Sequence, residues 1–414
     1  MLLTYHGKYQ TYLSKAGLIV VSLFSLFYCF DYFLQISISV FLKQIKLEFY
    51  LTDFKLGLMG AVFFLSYIIV QMPGGYLIDR FGVKKITLSM LLCCCVGTLL
   101  MFIAKSFFVL LVARIFIGLG SSIAFLCAIR ALIEWLPLQY FSFFVGVLQA
   151  LLGLGAIMGQ SPIAYLNQFY NWHEISIIFF LIAFTLFLLF LFVGATQNQT
   201  PYTSKSNRLK FFVLIRQLIC DKSLLKLSLL SFIIWSPVAS LAGFWLIPMF
   251  AFNYNIDAIN ASFVISFFWG GMVAGAIIIP LISSYIQKRK PVIVVAFILQ
   301  LIALSLLVGM HLPEYALFSC LFILGFICPV QGFIIVVAKD LYNKENFSLL
   351  SGMLNMFAAL SGGVMQLVVG GVLTYCFKNS IAHPYFWSFI PYLLLSVIGL
   401  YVSFFKLVES YPKA

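Results

Sequence analysis

GGYLIDRFGVKK, running from Gly74 to Lys85, gathers an acid, an arginine and two lysines in a chain that is otherwise only 9% charged. Long apolar segments flank it on both sides. Its glycines permit close helix approach and turn dihedrals that larger side chains resist. The stretch reads as a tight loop between two helices, and the medium around those helices decides the fold.

That medium is lipid. Hydrophobic residues make up 63% of the 414, and mean hydropathy is +1.10. Soluble globular chains sit nearer roughly 45–50% apolar. Apolar runs of about 20 residues, enough to cross a bilayer, recur along the whole sequence. The strict alternation of a closed β-barrel is missing. The expectation is an all-α integral membrane protein with twelve spans near 15–42, 56–78, 86–104, 107–133, 142–166, 175–195, 225–250, 261–285, 291–310, 315–338, 348–375 and 384–407. The least apolar break, 196–224, acts as a cytoplasmic linker between residues 1–195 and 225–414. Two halves of six spans suggest a duplicated, pseudo-symmetric transporter with its solute path between the halves.

Charge sets the expected orientation. With both termini cytoplasmic, the inner segments hold 19 Lys and Arg and the outer segments five, leaving Arg114 inside a span. That bias follows the positive-inside rule. The net charge of +13 is therefore a topology signal rather than a nucleic-acid face. The first span reads as retained rather than cleaved. Cysteines show no CxxC or Cys/His metal spacing and read as apolar packing groups, so no metal or cofactor is expected. Without a P-loop, direct ATP drive is excluded, and neither a catalytic triad nor a metal site points to an enzyme.

Under this topology Gly74–Lys85 joins the second and third spans on the inner side. Asp79 and Arg80 suit a charge network that breaks as the halves rock; Arg80, Lys84 and Lys85 also satisfy the inside rule by themselves. The arrangement of Gly75, Asp79, Arg80, Gly82, Lys84 and Lys85 closely resembles the G-x3-D-R-x-G-x-[KR]-[KR] signature of the major facilitator superfamily. In that family the loop is a gating element. The resemblance continues with Arg114, Gly118 and Gly120 at R-x3-G-x-G spacing, and with Gly153, Gly155 and Gly159 in a glycine-rich fifth span. The second-half counterpart has Gly270, Gly271 and Lys288–Lys290 but no acid, so a latch there is weaker or built differently. FYCFDYFLQISISV, Phe244–Pro248 and Gly352–Gln366 resemble a bacterial subgroup that includes amino-acid importers. That subgroup usually carries Glu near the Asp31 position and a basic residue where this chain has Gln35. The resemblance implies a monomer in the bacterial inner membrane.

Ionisable groups within hydrocarbon are costly and mark function by default. Asp31 is the acid lying well inside an apolar span: a proton or ammonium site, or half of a structural ion pair. Arg114 is its candidate counter-charge, a binder of a substrate carboxylate through paired hydrogen bonds, or a residue snorkelling to the outer surface. Arg130, beside Glu134, is an inner-gate candidate or an interfacial anchor. Gln35, Gln71, Gln149 and Gln160 in the first half, with Gln331, Asn355 and Gln366 in the second, suit a polar central cavity or act as helix glue. Trp245 is the aromatic placed nearest the path. Pro237 and Pro248 mark bending points in the seventh span.

These residues together suggest a secondary transporter working by alternating access: proton-coupled uptake of a small polar solute, an amino acid or related zwitterion, with membrane lipid and protons as its other partners. An exporter of amphipathic compounds and a uniporter are the alternatives.

Overall fold

A computed structural model describes residues 15–136, 141–193, 221–342 and 347–409. It contains twelve helices long and apolar enough to cross a membrane. In chain order they are α1 (Lys15–Glu48), α2 (Asp53–Phe81), α3 (Val83–Phe102), α4 (Phe107–Trp135), α5 (Phe141–Leu166), α6 (Trp172–Val193), α7 (Lys222–Asn253), α8 (Ala258–Ile286), α9 (Lys290–Gly309), α10 (Glu314–Ala338), α11 (Phe347–Lys378) and α12 (Pro384–Lys406). Most of the linker expected at 196–224 lies outside the described residues, and α7 already begins within its last residues.

Several helices run past the apolar window that announces them. α2 begins at Asp53 rather than near 56, because the Thr52 hydroxyl accepts the Lys55 N–H at 3.4 Å and so caps the first turn. It ends at Gly82, whose φ of 84° only glycine adopts freely. Here the turn reading of the opening stretch holds. Gly74 makes the expected close approach, to Ile123 and Leu126, whereas no atom of the described residues lies within 4 Å of where a Cβ at Gly75 would stand.

The duplication is visible atom by atom. Gly118 of α4 and Gly325 of α10 each lie eleven residues after the start of their helix (Phe107 to Gly118, Glu314 to Gly325). Gly118 packs on the Phe63 carbonyl of α2, and Gly325 on the Phe268 carbonyl of α8. Phe63 and Phe268 are themselves each ten residues into their helices (Asp53 to Phe63, Ala258 to Phe268). A Cβ at either glycine would overlap the facing backbone, so glycine sets the helix separation twice over. Both α4 and α10 are also broken in mid-span, at residues 122–123 and 328–329. α7 is interrupted differently: Pro237–Trp245 is π-helical, with the Leu246 N–H reaching back five residues to the Leu241 carbonyl.

Two packed cores follow from this arrangement. The larger runs through the first half and crosses into the second, taking in Phe244, Trp245, Phe250, Met365, Val369 and Tyr392. The smaller belongs wholly to the second half, around Leu227, Ile293, Ile334 and Leu354. Exposed apolar side chains such as Phe108 and Phe192 cover the outside of the bundle, where acyl chains would lie.

Candidate functional site

α1 carries the charged centre, and its neighbours explain why the centre sits there. Asp31 is 1% exposed; among the described residues its nearest hydrogen-bonding group is the buried hydroxyl of Ser121 on α4, which falls short of full bonding geometry with either carboxyl oxygen. Around it stand Tyr28 and Tyr32 of the same helix, Tyr67 of α2 and Cys94 of α3. Arg114, on α4, is 2% exposed. Its Nη1 donates to the Leu34 carbonyl of α1 at 3.4 Å, its Nε has no acceptor, and its guanidinium lies 4.6 Å from the centre of the Phe63 ring. A guanidinium over an aromatic face is held by the ring quadrupole without a counter-ion. Arg114 therefore does not snorkel to a surface. Nor is it the counter-charge of Asp31: among the described residues no ion pair joins them. An acid and a base are thus both buried in the first half, and among the described residues neither has an ionic partner. Leu321 occupies the position in α10 equivalent to Arg114 (both are seven residues into their helices), so the second half has no matching charge.

The amides do not line one pocket together. Gln160 donates to Ser39 Oγ at 3.2 Å and to the Ala242 carbonyl at 3.0 Å, and accepts the Trp269 indole N–H at 2.7 Å. It thereby ties α5 to α1, α7 and α8. Gln366 donates to the Ala239 carbonyl at 2.8 Å, packs on Gly60 of α2, and keeps an unpartnered Oε1. The Tyr392 hydroxyl donates to Ser240 Oγ at 2.7 Å. These contacts form a belt across the two halves, about 12 Å along α1 from Asp31 at the helical rise. Gln35, Gln71 and Gln331 are buried, the last two each with one unpartnered amide atom. Gln149 and Asn355 are half-buried. Trp245 is fully buried, and its indole N–H has no acceptor.

Beyond the belt lies the face marked by Asp53. Lys46 and Asp53 pair at 2.6 Å, and the Phe54 N–H donates to Thr374 Oγ1 of α11 at 2.8 Å. Glu48 accepts the Trp172 indole N–H at 2.6 Å and lies 2.9 Å from His173. The opposite face carries the expected gating residues. Arg80 is exposed and lies over Phe81, Lys85 is exposed, and Lys84 donates to the Leu191 carbonyl at the end of α6 at 3.1 Å. The Asp79 side chain lies outside the described residues. Arg130 pairs with Glu134 at 2.6 Å one turn along its own helix. In the second half the missing acid is supplied from elsewhere. Arg289 pairs with Asp340, two residues beyond α10, and donates to the Val336 carbonyl at 3.2 Å. Glu409 accepts the Arg289 and Lys290 N–H groups at 2.9 and 3.2 Å.

Sequence reading missed Phe63, Ser39, Ser240 and Tyr392. A phenylalanine among 46 carries no distinguishing signal. The serines sit on their helices as small polar residues that bond their own backbone by default.

The profile described as Major Facilitator Superfamily matches residues 22–366. A probable sulfoacetate transporter of Cupriavidus necator is 29% identical over 193 residues, 46% of this chain and 45% of that one. A probable galactarate/D-glucarate transporter of Escherichia coli is 22% identical over 392 residues, 86% of each chain. Among solved structures, a D-xylose–proton symporter superposes with a TM-score of 0.75 at 15% identity, covering 96% of this chain and 99% of that one.

Proposed function

Since this chain belongs to the major facilitator superfamily and is a transporter of a small solute by alternating access, we propose that its solute is a small organic anion moved together with a proton. One observation carries the reading: Arg114 is buried in the first half with an unpartnered Nε and, among the described residues, no carboxylate paired with it. A buried cation is stabilised by an arriving anion, and a planar guanidinium suits a carboxylate or sulfonate through paired hydrogen bonds. The printed names of two relatives, for sulfoacetate and for galactarate and D-glucarate, supply the matching solute class.

Asp31 takes the proton. A lone carboxylate in hydrocarbon has two ways to avoid the cost of its charge, a cation or a proton. No cation is paired with it among the described residues. Protonation then accompanies solute entry, and release on the other side restores the acid. We assign the Arg80 face to the cytoplasm on the lysine and arginine bias of the sequence, with both termini on that side and the protein in a bacterial inner membrane.

A second reading, uptake of an amino acid or similar zwitterion, is favoured by the same acid: Asp31 offers an acceptor to an ammonium while Arg114 holds the carboxylate. Both readings are tested by uptake into liposomes containing the purified protein, with D-glucarate, sulfoacetate and a panel of amino acids, with and without an inward proton gradient. Gradient-driven accumulation of an organic anion is expected. Asp31→Asn is expected to abolish accumulation but retain counterflow exchange, and Arg114→Gln to abolish both. Accumulation of amino acids alone replaces the anion reading with the zwitterion one. Uptake that survives Arg114→Gln unchanged sinks both.

A further inference from the structure

Arg114 is the buried cation of the first half, and an aromatic ring lies beside its charge. Its guanidinium stands over the face of Phe63, 4.6 Å from the ring centre, and Phe63 is fully buried. Three contacts fix where that ring can be. Gly118, one turn beyond Arg114 on α4, lets the Phe63 carbonyl approach to where a Cβ would otherwise stand. Ser66 Oγ donates to the same carbonyl at 2.8 Å. The Tyr67 ring, one turn further along α2, lies 6.1 Å from the Phe63 ring, and Phe64 meets it edge-on at 5.2 Å. The second half offers the contrast. Phe268 occupies the Phe63 position of α8 and is also fully buried, but the Arg114 position of α10 holds Leu321. One ring serves packing; its twin faces a charge as well.

A ring face stabilises a cation through its quadrupole and occupies none of the guanidinium N–H groups. A carboxylate partner would take up the same donors that a solute needs. Here Nη1 reaches the Leu34 carbonyl at 3.4 Å, and Nε has no acceptor. We infer that Phe63 is a positioning residue for solute binding: it holds Arg114 in the empty transporter with Nε free to receive the solute's acid group. Phe63 acts through Arg114 and need not touch the solute. Without the ring the charge loses its support and its donors turn to nearby carbonyls, so the solute binds more weakly while translocation runs as before. The inference rests on the proposed function, in which Arg114 takes that acid group.

The test uses the full chain, labelled with ¹⁵N-arginine in lipid nanodiscs for spectroscopy and placed in liposomes for uptake. The Arg114 Nε–H resonance is assigned by its absence in Arg114→Lys. Ring currents act on nearby protons, so this resonance is expected to move in Phe63→Leu and to return in Phe63→Tyr. Uptake of D-glucarate, sulfoacetate and a panel of amino acids gives KM and kcat for each solute that the wild type accumulates. Phe63→Leu should raise KM about tenfold, with kcat within about twofold, the signature of losing one desolvated cation–π contact that serves binding alone. Phe63→Tyr should restore KM, and Phe268→Leu should leave it unchanged. Phe63→Met, which also lacks the ring, takes the place of Phe63→Leu if that variant does not fold. A resonance unmoved, or a KM unmoved, by removal of the ring overturns the inference and leaves the Arg114 reading standing. So does a KM that Phe63→Tyr fails to restore, or one that rises equally in Phe268→Leu. Uptake that survives Arg114→Gln unchanged removes the Arg114 reading, and the inference falls with it.

Discussion

The two ends of the interface between the halves are built from different materials. Toward Asp53, α2 and α11 touch through backbone: Gly57 packs on the Gln366 carbonyl and Gly370 on the Asp53 carbonyl, and one apolar core spans both halves. Toward Arg80, no atom of the described residues lies within 4 Å of where a Cβ at Gly75, Gly146, Gly332 or Gly352 would stand, and the second half keeps a core of its own. One end closes by shape, with small residues allowing van der Waals contact where lipid gives no hydrophobic drive. Ion pairs lie at both ends, Lys46 with Asp53 at one and Arg130 with Glu134 and Arg289 with Asp340 at the other, and each of them lies within one half. The difference between the ends is therefore backbone contact between α2 and α11 at the Asp53 end and, among the described residues, open space beside small residues at the Arg80 end.

The comparison is broken most directly at Gly57. A side chain there meets backbone that cannot move aside, and overpacking of this kind costs about 1–3 kcal/mol. Gly57→Val is expected to open the Asp53 end, raising labelling of a cysteine placed at Ser39 by an impermeant thiol reagent about tenfold or more, and to stop transport. Gly352→Val should slow transport yet leave that labelling rate unchanged, because it obstructs only closure of the other end. Equal effects on labelling from both variants would erase the distinction.

Gln160→Leu removes three hydrogen bonds from the belt at once. Interhelical bonds in membranes average about 0.6 kcal/mol, so the same labelling assay should report an increase of about fivefold to twentyfold. Uptake measured in parallel should lose concentrative power before it loses exchange.

A smaller effect is expected at Lys46. Lys46→Met leaves Asp53, which is 6% exposed, without its partner. Its cost, about 1 kcal/mol for a partly exposed pair, should largely vanish in the double variant Lys46→Met/Asp53→Asn. Thermal unfolding of the three proteins measures the cycle. A double variant as unstable as the single one would show that the carboxylate is not the penalised group.

The smallest effect sharpens the Arg80 end. Partial desolvation acts against ionisation of Asp221, but the Leu224 and Ser223 N–H groups it caps and the charge of Lys226 hold its carboxyl below the usual carboxylate range. A carboxyl lowered on folding stabilises above its unfolded value, about 3.9, and that contribution disappears as pH falls through the folded value. Asp221→Ala should lower stability by about 0.5–1 kcal/mol at pH 7. The melting-temperature gap from wild type should narrow toward pH 3. A gap that widens on acidification would contradict the cap.

How much of this was legible follows from what sequence spacing can and cannot encode. Twelve apolar runs and their flanking lysines declared the fold, because length and burial in lipid are one-dimensional properties. Asp31 and Arg114 stood out for the same reason, as charges where charge is costly. Their mutual separation did not stand out. It depends on how α1 and α4 are rotated against each other, which glycines such as Gly118 and Gly155 set through contacts with Phe63 and Cys29 on other helices. The amides looked like a cavity set by composition, but Gln160 and Gln366 close the belt. Only the crossing of α5 and α11 with α7 reveals that. Asp340 and Glu409 replace an acid absent from the loop after α8, from positions 51 and 120 residues beyond Arg289 (340 less 289, 409 less 289), too far for any local motif to join them.

The π-helical stretch in α7 holds one more residue than an α-helix would need to cover the same turns. Each residue advances an α-helix by about 100°. If the stretch relaxed to α geometry, everything beyond Trp245 would be turned by that angle. Pro248, Ala251 and Phe252 would swing away from the cavity of about 620 Å³ between the halves that they now line, with no need for the half to tilt as a body. Ala239 and Ala242, whose carbonyls receive Gln366 and Gln160, lie inside the same stretch. The segment thus stores a rotation within a single helix, locked by two amides. A change of winding there would act as a screw thread, converting release of the belt into a turn of the cavity wall.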